Sequence, residues 1–154
     1  MALLLVLNLH GAINSSGPVR RALEELKVVR RFSASVVPGD SSTLGMLRLC
    51  KDHVAWSPID TDLLATLLKK RGMVSVTKVL DSASLKKMGY KDHEDLAAKM
   101  VKEEMRLSAV EGLRPVFRLA PPRGGFKRSI RRAFSEKGLL GNNPQLSELV
   151  RRML

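Results

Sequence analysis

Apolar residues recur along this chain in two rhythms, and each rhythm predicts a kind of element. Leu3 to Leu9 is an apolar run, unbroken but for Asn8. A run of that length predicts a central strand covered on both faces. Val19, Ala22, Leu23 and Leu26 follow at helical spacing, with Arg20, Arg21, Glu24 and Glu25 on the opposite side. The turn Asn14-Ser15-Ser16-Gly17-Pro18 precedes that helix, with serine as a candidate cap and proline in the first turn. Val28 to Val37 reads as a second strand, in which Phe32, Ala34 and Val36 alternate against Arg31, Ser33 and Ser35. Pro38–Ser42 is a turn into a helix over 43–53 that buries Leu44, Leu47, Cys50 and Val54. Ala55–Pro58 is short enough for an edge strand.

Helical spacing then dominates. Asp60 caps a helix with Leu63, Leu64, Leu67 and Leu68 inward, ended by Gly72. Val74, Val76 and Val79 predict a short strand, and Leu85–Met88 a single helical turn closed by Gly89. Asp92 with Asp95 forms a capping arrangement for a helix burying Leu96, Met100, Val101 and Met105. Strand rhythm returns at Leu113, Pro115, Phe117 and Leu119, alternating with Arg114, Val116 and Arg118. Proline cannot donate to a ladder, so this strand belongs at an edge. Gly138 and Gly141 predict a flexible turn, and Asn143-Pro144 a cap for a last helix with Leu146, Leu149, Val150 and Met153 on one side. The fold class is α/β (α+β): helices packed on a small sheet. The expected organisation is one compact domain. It comprises a strand–helix–strand–helix–strand core (1–59), a helical extension (60–112), and a segment of edge strand, basic loop and helix (113–154).

Charge changes this picture. The chain has 154 residues and a formal net charge of +12. Residues 1–112 hold a net +4 and residues 113–154 a net +8. From Arg114 to Arg132 there are seven basic residues and no acidic one. Within this stretch Pro121-Pro122-Arg123-Gly124-Gly125-Phe126-Lys127-Arg128-Ser129-Ile130-Arg131-Arg132 combines chain-stopping prolines, permissive glycines and five cations. Like charges at this density repel, and a polyanion neutralises them. The expected contacts are phosphates, met by Arg118, Arg123, Lys127, Arg128, Arg131 and Arg132. Gly124 and Gly125 permit close approach, and Phe126 is the best base-stacking candidate. Arg20, Arg21 and Arg48 form a weaker second patch. Arg20-Arg21, Lys69-Lys70-Arg71 and Lys86-Lys87 also fit ordinary solvated helix faces. Six aromatics are too few for a base-stacking sheet, so shape readout is expected to dominate.

No catalytic constellation is visible. His10, His53 and His93 fall in three different elements, and Asp52-His53 and Asp92-His93 are neighbours whose side chains diverge on a helix. The single cysteine, Cys50, lies on an apolar helix face, which suits packing; it excludes an intrachain disulfide. Scattered ligands argue against metal. Pro38–Gly45 is superficially similar to a phosphate loop but lacks the Gly-Lys-Ser/Thr ending. No cofactor, metal, membrane or small-molecule substrate is expected.

Four segments carry a family resemblance. They are Leu3-Leu4-Leu5-Val6, Ser35-Val36-Val37-Pro38, Gly45-Met46 with Lys51-Asp52-His53-Val54, and Leu113-Arg114-Pro115-Val116-Phe117-Arg118-Leu119 followed by Pro122-Arg123-Gly124-Gly125. Gly138, Gly141-Asn142 and Leu149-Val150-Arg151-Arg152-Met153 come behind. On these the chain resembles the universal large-subunit ribosomal protein L-thirty family, in the long form shared by archaea and eukaryotes. The resemblance implies a ferredoxin-like core and an extension. It also implies binding to large-subunit ribosomal RNA as a non-enzymatic structural component, beside neighbouring ribosomal proteins, in the cytoplasmic ribosome. The sequence lacks the long basic N-terminal extension of eukaryotic members and looks archaeal. Leu44 stands where many relatives have arginine, with Arg48 and Lys51 within the next two turns. The other readings are an RNA-processing or RNA-modifying enzyme, and a free nucleic-acid chaperone.

Overall fold

The computed structural model describes residues 2–154. At its centre is β1 (Leu3–Asn8), buried along its whole length. The two-residue period of a strand divides it between two apolar clusters. Leu3, Leu5 and Leu7 join one, and Leu4 and Val6 the other. The strand covered on both faces is therefore present.

Antiparallel neighbours flank it. β2 (Ser33–Pro38) pairs so that Leu5 faces Val36, and β3 (Val54–Pro58) so that Leu5 faces Ser57. Two helices, α1 (Gly17–Glu25) and α2 (Ser41–Leu49), cover one face of the sheet through Ala22, Leu23, Leu47 and the adjoining Leu26 and Cys50. On the other face lie α3 (Thr61–Arg71), α4 (Ser82–Lys87), α5 (His93–Lys102) and α6 (Leu146–Met153). α6 buries Leu146, Leu149, Val150 and Met153, the predicted stripe. Three further strands complete the sheet: β4 (Phe117–Arg118), β5 (Ser129–Ala133) and β6 (Gly138–Asn142). The order is β4-β2-β1-β3-β6-β5. A mixed sheet with helices packed on it is consistent with the ferredoxin-like α+β fold.

Several expectations need correction. Residues 28–32 are not strand. Asn8, fully buried, donates from its carboxamide to the Val28 carbonyl at 2.6 Å and accepts from the Gly11 amide at 2.7 Å. Lys27 and Phe32 have φ of +62° and +61°, which no strand tolerates. The chain therefore turns until Ser33. β3 is interior, because β6 pairs beside it in parallel, Ala55 opposite Gly141. The glycines at 138 and 141 accordingly lie in a strand rather than form a flexible turn. The valines at 74–79 contribute only an isolated bridge, Met73 to Val79. Ser16 is the N-cap of α1 by position, yet its hydroxyl makes no capping bond. At α5 the capping box does not form: Asp92 is the N-cap without a side-chain capping bond, and Asp95 accepts instead from the amide one residue earlier, Lys91, at 3.2 Å.

Candidate nucleic-acid interface

The segment leading into the basic loop follows the predicted alternation from Phe117 to Leu119, whereas Arg114, Pro115 and Val116 are all half-buried. Leu113, Phe117 and Leu119 are buried, whereas Arg118 is exposed. Only Phe117 and Arg118 pair with β2, at its outer edge, so the edge placement holds. Pro115, with no amide hydrogen, uses its carbonyl instead, accepting from the Ser35 hydroxyl at 3.0 Å.

The loop itself has a braced backbone. Pro122 is buried and anchors it. The Arg123 amide donates to the Arg152 carbonyl at 3.0 Å, and the Gly125 amide to the Pro122 carbonyl at 3.0 Å. From α6, the Arg152 guanidinium returns to the Gly125 carbonyl at 3.0 Å. Gly124 and Gly125 take φ of +77° and +72°. A Cβ on either would meet nothing within 4 Å. Glycine is needed here for the left-handed turn and not for packing inside the molecule, and the open space lies outside.

Beyond the turn the side chains separate by role. Phe126 is half-buried, with its ring 6.0 Å from that of Phe32 at 31°. The Arg128 guanidinium lies 5.0 Å above the Phe134 ring. Arg123, Lys127, Arg131 and Arg132 are exposed. Arg131 and Arg132 stand on β5, the outer strand of the sheet. Among the described residues, no carboxylate is within ion-pair distance of any of these cations. The next element is held close: a Cβ on Gly138 would overlap the Arg132 carbonyl.

The second predicted patch is elsewhere. Arg20 and Arg21 on α1 and Arg48 on α2 are exposed, and belong to the helix layer opposite the one that braces the loop. Arg20 also shares a 3.8 Å ion pair with Glu24, with both side chains more than half exposed. Sequence reasoning missed a different cluster. Lys27, Arg30 and Arg31 come together with Arg114 and Arg118 around a groove of about 490 Å³. The two segments are more than 80 residues apart in the chain, so no local pattern signalled it.

The histidines fasten loops. His10 Nε2 donates to the Ile130 carbonyl at 2.6 Å, and His53 Nδ1 bonds the Gly11 carbonyl at 3.2 Å. Their rings meet edge to face with centroids 6.1 Å apart. His93 Nε2 bonds the Leu80 carbonyl at 3.2 Å. Burial pushes the Cys50 thiol up to about 11, the opposite of what a nucleophile needs. No helix among the described residues is long and apolar enough to cross a membrane.

Fold and surface together define a small α+β protein with a net cationic surface, its excess charge concentrated on the loop and outer strand. Curated relatives sharpen that class. The chain is 36% identical over 150 residues, 97% of each chain, to "Large ribosomal subunit protein uL30" of Nitrosopumilus maritimus. It is 39% identical to the protein of that name from Ignicoccus hospitalis, covering 99% of this chain and 98% of the relative. With the Thermofilum pendens protein of the same name, identity is 38% over the full length of both. No family model matches. The chain belongs to the uL30 family of large ribosomal subunit proteins, in its archaeal form. That is a family of structural constituents, not of enzymes.

Proposed function

We propose that this protein is a structural component of the cytoplasmic ribosome that anchors to large-subunit ribosomal RNA through its basic loop. Phosphates are met by Arg118, Arg123, Lys127, Arg128, Arg131 and Arg132, while Gly124 and Gly125 let backbone approach the RNA. Phe126 packs beneath the loop on Phe32, which leaves shape and charge as the main readout. Arg20, Arg21 and Arg48 contact RNA or a neighbouring ribosomal protein from the opposite layer.

One observation carries this reading. The loop is braced by protein hydrogen bonds while its cations have no carboxylate partner among the described residues. Such an arrangement leaves the charge available and fixes where it points. Solvated edge cations that block strand pairing would account for Arg131 and Arg132 alone, but not for Arg118, Arg123 or Lys127. The test is sedimentation of cell lysate on sucrose gradients at low and high salt, with detection of this protein. It is expected with the large subunit at both salts. Migration at the top of the gradient at low salt would overturn the reading.

A further inference from the structure

We propose that the groove between Lys27–Ser33 and Arg114–Leu119 holds an unpaired nucleotide of RNA, beside the phosphates taken by the loop. The inference rests on the ribosomal RNA reading above and adds a second site with a different ligand class. Five cations rim the groove, Lys27, Arg30, Arg31, Arg114 and Arg118, against a single acid, Glu24, which lies within 3.8 Å of Arg20. Its floor is apolar: Val29, Pro115, Val116 and Leu119 line it beside Phe32. At about 490 Å³ it lies within the size range of small-ligand sites, roughly 300–1,000 Å³.

Charge alone would suit any polyanion, but an apolar floor among cations suits a planar base carrying a phosphate. Bases in a duplex are stacked and closed to such a floor, whereas bases in loops and bulges are splayed out and available. The rim is also partly set in advance. Arg31 Nε donates to the Leu9 carbonyl at 3.1 Å, and its guanidinium lies 4.7 Å over the Phe32 ring. That plane is fixed before any ligand arrives, which is the geometry on which an exposed base stacks.

The test uses the purified full chain and a 12-nucleotide single-stranded RNA carrying photoreactive 4-thiouridine, with crosslinks mapped by mass spectrometry. Crosslinks are expected at residues 29–33 and 114–119. Unlabelled single strand should compete better than a duplex of equal length, and better than polyglutamate. The double variant Lys27→Gln/Arg30→Ala, outside the loop's phosphate contacts, is expected to bind the single strand roughly tenfold more weakly, and the duplex within about twofold of the parent. Both residues are exposed, so the fold should persist; a circular dichroism melt checks this, and Arg30→Glu alone serves if the double variant does not fold. Crosslinks confined to 121–132, or equal competition by duplex or polyglutamate, would overturn the groove assignment. Sedimentation apart from the large subunit would instead overturn the ribosomal reading, and the crosslink map would still decide the groove.

Discussion

Cys50 caps the C-terminal end of α2, fully buried, with its sulfur 3.7 Å from the Val19 carbonyl. Burial raises its pKa from 9.0 to about 11. An acid whose folded pKa is raised ionises first in the unfolded chain. Its contribution to stability is intact below pH 9 and disappears as pH rises toward 11. Denaturant melts between those values should show the loss, and Cys50→Ala should flatten it. In the native protein the thiol should resist alkylation at neutral pH; rapid labelling there would contradict the burial. Asn8 shows the other side of reading single residues. Within an apolar strand it looks like an interruption. In three dimensions its carboxamide gathers the Val28 carbonyl and the His10 and Gly11 amides. No sequence spacing announces partners 20 residues away, so nothing in residues 28–32 shows that the second strand begins only at Ser33.

At the level of elements, the helices and β1 were legible because each carries its own periodicity and its partner is simply the rest of the core. β5 and β6 were not. Ser129–Ala133 has no apolar alternation, and Gly138–Asn142 reads as a turn until β3 is placed beside it. Their pairing is decided by backbone fit, with Gly138 against the Arg132 carbonyl. Gly138→Ala forces these strands apart. It should destabilise the protein by about 1–3 kcal/mol, the usual range for overpacking, and lower Tm by several degrees, roughly 2–4 °C per kcal/mol at this size. An unchanged melt would mean that β5 yields without cost. The basic loop was legible because its cations are contiguous; the groove was not, since its rim is assembled from two separated segments.

For the molecule as a whole, the helix layers on the two faces of one sheet separate two kinds of cation. One set stands on helices and shares space with acids such as Glu24; the other stands on the loop and the outermost strand, without them. If the second set neutralises phosphates, affinity for a ribosomal RNA fragment should fall steeply with salt. Arg131→Ala with Arg132→Ala should then reduce the slope of log K against log salt by about two, close to one per lost phosphate contact. A slope equal to the parent's would remove those residues from the interface. The brace from Arg152 adds a constraint in time. A ribosome making this chain releases Arg123–Gly125 before the residues of α6. Through that interval the loop has its charge but not the clasp that sets its shape. If the loop takes ribosomal RNA as proposed, an unfinished chain should compete poorly for that site, and the order of synthesis would then favour complete chains in assembly.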